Sequence, residues 1–211
     1  MKYNAEYIKA QIIKWLLQGN LSFDSSRDAI GLEVLFSVHQ RKADILILSK
    51  YLHALEIKGD FDDFKKLKGQ LKDYHKTFDK VSLVTTPKHL PKIYKIIKPY
   101  IGLIVFDHKT VKVVRSAKRQ KRLNRKSLLM FLPRKELTNL LKRNKSKELS
   151  TGEIRMLIVS KLTVKKIRKA AYSFLRKRYD KLFRLFLKDM SKNIVWDELR
   201  GLCGKIDEIY F

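Results

Sequence analysis

Two short apolar runs in residues 42–58 constrain the fold of this chain more than any other stretch. Both runs are rich in Ile and Leu, and a polar break at residues 49–51 separates them. Runs of this length on either side of a short turn are typical of two antiparallel strands. The sequence therefore predicts a β-hairpin, in which a three-residue loop places Leu48 opposite Leu52.

Charged side chains lie at the far end of this predicted hairpin. Asp44 stands at the start of the first run, and Glu56 and Lys58 stand at the end of the second. In the register above, Asp44 faces Glu56, and Lys58 shares their face because successive side chains on a strand alternate. A turn with an even number of residues would instead direct Asp44 to the opposite face. Buried charges must be paired or bound to a metal, so these three residues form a candidate site.

The elements around the hairpin follow the order α-β-β-β-α-β-α-β-β. We predict helices at residues 4–18, 61–76 and 87–98, and strands at 30–38, 80–85, 101–106 and 111–115, besides the hairpin at 43–57. A meander followed by β-α-β crossovers predicts an α/β fold with a mixed sheet flanked by helices.

The positive charge is concentrated in the second half of the chain. The whole chain has 48 Lys and Arg against 21 Asp and Glu, a formal net charge of +27. Residues 109–192 hold 28 of the basic and 5 of the acidic residues, a balance of +23, which leaves 20 basic and 16 acidic residues elsewhere. We therefore predict two domains, residues 1–116 and a basic α-helical region at 117–211, with helices near 133–143, 152–160, 164–188 and 196–202.

An excess of positive charge on this scale favours a polyanionic partner. Lysine and arginine neutralise phosphates and release counterions, which gives salt-dependent and largely sequence-independent binding. We predict a nucleic-acid partner, DNA before RNA, with no membrane partner and with a homodimer left open. The predicted nucleic-acid contacts are Lys118, Arg119, Lys121, Arg122, Arg125, Lys126, Lys165, Lys166, Arg168, Lys169, Arg176 and Lys177.

Several other classes of protein are disfavoured. The single cysteine, Cys203, excludes an internal disulfide and a cysteine-rich zinc site. No apolar run approaches the roughly 20 residues needed to cross a bilayer, and lysines interrupt the first apolar stretch where a signal peptide would be continuous. We expect a cytoplasmic location.

The hairpin charges match the requirements of phosphodiester hydrolysis. Two carboxylates on neighbouring strands, Asp44 and Glu56, could hold Mg²⁺ (or Mn²⁺), which prefers oxygen ligands. The metal would lower the pKa of a bound water, and Lys58 could stabilise charge on the phosphate. The competing interpretation is a surface ion pair, because Glu-x-Lys is a common pattern on any strand.

These residues and their spacing resemble a known group. Residues 42–44 (Lys-Ala-Asp) and 56–60 (Glu-Ile-Lys-Gly-Asp), within this order of elements, resemble the PD-(D/E)XK nuclease superfamily. The downstream pattern resembles, more narrowly, the bacterial sce7726 family over about residues 1–110. The residues that carry the downstream part of the resemblance are Leu67, Gln70, Tyr74, Phe78, Asp79, Val81, Leu83 and Val84.

The resemblance implies a restriction-endonuclease-like core and a role for each site residue. Asp44 and Glu56 would be metal ligands and Lys58 the catalytic lysine. Glu33 would join the metal site, and Gln70 would face it from the following helix. The chain departs from the family pattern at residues 42 and 59, where arginine and serine are usual.

The expected function is therefore a metal-dependent endonuclease that hydrolyses DNA phosphodiester bonds. The first alternative is a nuclease-fold protein that binds DNA or RNA with little or no catalysis. The second is a basic protein that binds RNA or anionic membrane through its C-terminal helices.

Overall fold

The protein is described here by a computed structural model, which covers residues 2–36, 41–108, 110–141, 149–190, 194 and 199–203. One six-stranded mixed sheet forms its centre. Its strands are β1 (Ala29–Leu35), β2 (Lys42–Leu48), β3 (Leu52–Lys58), β4 (Lys80–Thr85), β5 (Gly102–Asp107) and β6 (Thr110–Arg115). The α-helices in the described residues are α1 (Ala5–Leu17), α2 (Leu67–Thr77), α3 (Leu90–Ile96), α4 (Arg125–Leu129), α5 (Arg134–Leu141), α6 (Thr151–Lys161) and α7 (Val164–Asp189).

The strands lie in the sheet in their chain order. The pairs β1–β2, β2–β3 and β5–β6 are antiparallel, whereas β3–β4 and β4–β5 are parallel. The predicted α/β class, the mixed sheet and the order of elements are confirmed. The predicted hairpin register is also confirmed, because Leu48 pairs with Leu52 and Leu46 pairs with Ala54.

Helix α7 packs on the edge of the sheet at β1. Its buried stripe is Ile167, Ala171, Leu175, Tyr179, Phe183 and Phe186. A Cβ atom on Gly31 of β1 would lie 2.7 Å from a ring carbon of Tyr179. Only glycine therefore allows the tyrosine ring to approach the strand this closely.

Helices cover both faces of the sheet. Gly31, Leu46 and Ala54 are register partners and share the face that meets α7. The side chain of His53 points to the opposite face, because His53 precedes Ala54 on the strand. Leu21 and Ser22, which follow α1, line a small cavity with His53 and therefore lie on that opposite face. One hydrophobic cluster includes buried residues from both faces and from both halves of the chain.

The predicted linker is held against the sheet by backbone hydrogen bonds. The amide groups of Lys118, Gln120 and Asn124 donate to the carbonyl oxygens of Tyr100, Asp79 and Lys76, respectively. The Asp79 carboxylate, which is buried, accepts from the Leu52 amide at 3.0 Å and from Arg168 of α7 at 2.9 Å. The division into two domains stays a prediction, since these contacts join the two parts.

Three predicted helices differ from the structure in their limits. Helix α2 begins at Leu67 rather than near residue 61, because the Asp60 carboxylate is bound to Tyr3 and Thr86 and holds the chain in a turn. The helix predicted at 87–98 is a 3-10 turn, Pro87–His89, followed by α3. The helix predicted near 196–202 lies partly outside the described residues. Its described part contains the 3-10 turn Arg200–Leu202. No helix in the described ranges has both the length and the apolarity to cross a bilayer.

The close contact between α7 and β1 predicts that Gly31→Ala destabilises the protein. The new Cβ would overlap the Tyr179 ring, and overpacking of this kind costs about 1–3 kcal/mol. Urea unfolding measures the change. Gly201→Ala is the control, because nothing lies within 4 Å of its added Cβ, and equal effects of the two variants would contradict the prediction.

Candidate functional site

The charged residues of the first three strands meet in one cluster. Glu33, Asp44 and Glu56 come from β1, β2 and β3, and Lys58 ends β3. The Lys58 ammonium lies 2.9 Å from Glu56 Oε1, and only 3% of the Glu56 side chain is exposed. Glu33 has a φ of 50°, a conformation that non-glycine residues rarely adopt. The structure thus brings together four of the five residues predicted for the catalytic site.

A residue that the sequence analysis missed supplies the second cation. Lys9 of α1 is buried, and its ammonium lies 3.3 Å from Asp44 Oδ1 and donates a hydrogen bond to Glu33. The signal in the sequence is a lysine next to Ile8 and four residues before Ile13, on the apolar stripe of a helix. Such a position indicates a buried partner for the charge.

The hydroxyl of Tyr74, on α2, completes the contacts of the cluster. It lies 2.5 Å from Glu56 Oε2 and 2.9 Å from the Lys42 carbonyl oxygen, and its single proton can serve one of them at a time. The Ile57 amide donates to Asp44 Oδ2 at 2.7 Å. Each oxygen of Asp44 and Glu56 therefore has a partner within the protein.

The electrostatics of the cluster favour the protonated form of Asp44. Burial, followed by the repulsion from Glu56, raises the pKa of Asp44 to about 7, although Lys9 opposes the change. Burial alone would lower the pKa values of Lys9 and Lys58, but their carboxylate partners outweigh it and raise both.

These contacts leave the donor set poorly suited to a divalent metal. Lysine ammonium groups occupy the sides of the carboxylates that a cation would approach, and the described residues hold no group of three or more His, Cys, Asp or Glu suited to binding a metal ion. Gln70, half-buried on α2, forms no hydrogen bond with the cluster among the described residues. The role of Mg²⁺ or Mn²⁺ and the role of Gln70 stay predictions.

Ten of the twelve predicted nucleic-acid contacts are exposed. Six lie in the linker and the start of α4, and four lie on α7. Arg125 also donates to the carbonyl oxygens of Val159 and Leu162, near the end of α6. The exposed residues are Lys118, Arg119, Lys121, Arg122, Arg125, Lys126, Lys165, Lys166, Lys169 and Lys177.

The other two predicted contacts, Arg168 and Arg176, are half-buried and bind groups within the protein. Arg168 pairs with Asp79, and Arg176 donates to the Leu48 carbonyl oxygen at 2.7 Å. Arg184, two turns further on, donates to the carbonyl of Asp28. The arginines of this side of α7 therefore attach the helix to the sheet, a task that their charge alone did not indicate.

The comparison with known families covers both the cluster and the basic region. The family model that matches residues 2–203 is that of bacteriophage P4 protein cII. The chain belongs to the bacteriophage P4 cII protein family. Protein cII of Enterobacteria phage P4 is 31% identical over 193 residues, which is 88% of this chain and 72% of that protein. A solved structure, the SPO1766 protein of unknown function from Silicibacter pomeroyi, matches 83% of this chain and 92% of its own at 14% identity and a TM-score of 0.42, too distant to carry an argument.

Membership of the cII family overturns the nuclease interpretation. The expected PD-(D/E)XK and sce7726 identity, the endonuclease function and the enzyme class are wrong, because the matching family is a different one and spans both halves of the chain. The spacing misled because Asp44, Glu56 and Lys58 do converge as a nuclease site would. Within this cII-family protein, however, Lys9 and Tyr74 complete their contacts.

The buried position of Lys9 predicts that Lys9→Met strongly destabilises the cII-family protein. The variant leaves Glu33 and Asp44 without the ammonium group that they share, and the cost is at most the roughly 3–5 kcal/mol of a fully buried ion pair, because both carboxyl groups are partly exposed. The free energy of unfolding in urea measures the loss. Lys14→Met, at an exposed position of the same helix, is expected to change it by no more than about 0.5 kcal/mol.

The raised pKa of Asp44 predicts a specific pH dependence of stability. The folded protein retains a proton up to about pH 7, which the unfolded chain releases near pH 3.8, so the free energy of unfolding falls as the pH rises between these values. Asp44→Asn should remove a fall of about 1–3 kcal/mol, since solvent screens the charge of the partly exposed Asp44 side chain. Unfolding curves at several pH values test this, and parallel curves for the two proteins would refute it.

Proposed function

We propose that this cII-family protein binds nucleic acid, with DNA as the first candidate, and that its role is binding without cleavage. One observation carries the proposal. Nine exposed cations from the linker, the start of α4 and the first turns of α7 lie in adjoining segments, and within the described residues none forms an ion pair with a carboxylate. We call these residues the basic surface: Lys118, Arg119, Lys121, Arg122, Arg125, Lys126, Lys165, Lys166 and Lys169.

Contacts at Asp79 support the continuity of this surface. The backbone of Asp79 accepts from the linker at Gln120, and its side chain accepts from Arg168 of α7. Helices α4 and α7 also pack on each other. The linker cations and the α7 lysines are therefore held on a fixed scaffold, which lowers the ordering cost of binding a polyanion.

The position of the α7 lysines also favours an anionic partner. Lys165, Lys166 and Lys169 fall in the first two turns of α7, within a sector of about 100° at 100° per residue. The first turn has no acidic residue. Positive charge at a helix N-terminus opposes the helix dipole, so these lysines cost stability that a bound phosphate would recover.

The sheet is proposed to serve as the platform for this surface. An antiparallel β1–β2–β3 meander followed by the parallel strands β4 and β5 supports a restriction-endonuclease-like class for the scaffold. The buried charge cluster then contributes to stability rather than to chemistry. Catalytic groups are not required of a protein that acts by binding.

Neutralising the α7 lysines tests the proposal. Lys165→Gln, Lys166→Gln and Lys169→Gln together should lower the affinity for a short DNA duplex at least tenfold at low salt. They should also reduce the slope of log K against log salt by about 2–3, since each lysine that contacts a phosphate contributes about 0.9. Fluorescence anisotropy over a series of salt concentrations gives both quantities.

A matched triple variant separates the surface from net charge. Lys14→Gln, Lys92→Gln and Lys95→Gln remove the same charge from exposed positions on α1 and α3, and should leave the slope unchanged. The α7 variant should be as stable as the parent or slightly more stable, because it relieves the helix dipole. Equal losses from the two triples would refute the proposed surface. Tighter binding to anionic vesicles than to DNA or RNA at equal salt would refute nucleic acid as the partner.

A further inference from the structure

The geometry assigns a phosphate-binding site to the tip of the β2–β3 hairpin. This inference rests on the proposed function and names a second point of contact for the nucleic acid. The site, which we call the tip site, consists of Tyr51 and the three cations around its ring, Lys50, Lys80 and Arg119. The ligand is a phosphate group, from the nucleic-acid backbone or from a phosphorylated end.

Three separate segments of the chain converge at the tip site. The Arg119 guanidinium carbon lies 4.4 Å from the centre of the Tyr51 ring, and the ammonium groups of Lys80 and Lys50 lie 5.6 Å and 5.7 Å from it. Lys50 belongs to the hairpin turn, Lys80 begins β4, and Arg119 belongs to the linker. All three positive charges therefore lie within 5.7 Å of one ring centre, and no two of them can be more than about 11 Å apart, a span that one phosphate or neighbouring phosphates of a strand can contact.

The three cations have no anionic partner in the described part of the chain. None of them forms an ion pair with a carboxylate there. The nearest acidic residue in sequence, Asp79, is buried, and Leu52 and Arg168 bind its carboxylate. The faces of an aromatic ring attract cations, but a ring does not neutralise three charges. An anion from outside is the missing partner.

The tip site adjoins the basic surface. Arg119 belongs to both, and the Gln120 amide next to it is bound to Asp79. Arg176 of α7 donates to the carbonyl oxygen of Leu48, which ends the strand before the hairpin turn. A nucleic acid that lies along the linker and the start of α7 therefore reaches the tip site without a change in the fold.

Two sets of variants test the tip site. Lys50→Gln and Lys80→Gln together, which leave the basic surface intact, should weaken binding to a blunt duplex with 5′-hydroxyl ends at least threefold at low salt, and should lower the salt slope by about 1–2. Tyr51→Leu keeps the charges but removes the ring that positions them, so it should weaken binding severalfold. Tyr51→Phe keeps the ring and should bind within about threefold of the parent. If Tyr51 acted through its hydroxyl group instead, Tyr51→Phe would weaken binding as much as Tyr51→Leu.

The outcomes separate this inference from the proposed function. If the parent protein does not bind nucleic acid, both fail. If the α7 triple variant loses affinity but the tip variant, with Lys50→Gln and Lys80→Gln, binds like the parent with an unchanged slope, the tip site alone is refuted. If both lose affinity, each with a smaller slope and an unchanged melting temperature, both stand.

Binding to two further substrates, circular DNA and a duplex with 5′-phosphorylated ends, identifies the source of the phosphate. Equal losses for the tip variant on circular DNA and on the linear duplex assign the site to backbone phosphates. If the parent protein prefers 5′-phosphorylated ends and the tip variant lacks this preference, the tip site binds a terminal phosphate. Inorganic phosphate as competitor should displace the duplex more readily from the parent than from the tip variant, and equal displacement would count against the site.

Discussion

The buried carboxylate of Asp79 is the interaction on which the relation between the two halves of this protein depends. It stands immediately before β4 and joins the start of β3, at Leu52, to α7, at Arg168. Its backbone carbonyl holds the linker at Gln120. A buried carboxylate that accepts bonds from a neighbouring strand and a distant helix fixes both, because leaving it without partners would be costly. The linker and α7, which carry the basic residues, are therefore connected through one residue of the sheet domain.

The buried cluster at the other end of β2 and β3 shows how a short motif can mislead. Strand alternation requires Asp44, Glu56 and Lys58 to meet, and they do so whether the compensating charge is a metal or another side chain. In this structure Lys9, from a helix at the start of the chain, and Tyr74 contact the carboxylates. A local pattern contains neither of these residues, and the family comparison, which spans nearly the whole chain, points away from the nuclease family that the pattern resembles.

The parts of the fold that depend on local periodicity could be predicted from the sequence. The hairpin and the order of elements followed from the apolar runs, whereas the register followed only for a turn of three residues, which is the turn that the structure has. Contacts between distant segments could not be predicted in this way. The approach of Tyr179 to Gly31 and the gathering of three cations around Tyr51 depend on the packing of the whole chain. Arg176 looked like a surface charge because its partner is a backbone carbonyl, which has no signature in the sequence.

The winding of α7 limits how this helix can meet a long polyanion. A step of four residues along an α-helix turns about 40° beyond a full circle. The buried side chains from Ile167 to Phe183 are four such steps apart, so their direction rotates by about 160° around the helix, in keeping with the twist of the sheet. The exposed line opposite to it rotates equally, and Lys165 and Lys181 therefore point in nearly opposite directions. A straight duplex laid against the first turns of α7 leaves the lysines at its far end uncovered. One copy of the protein could thus hold a curved strand along the entire helix, or bridge two separate segments.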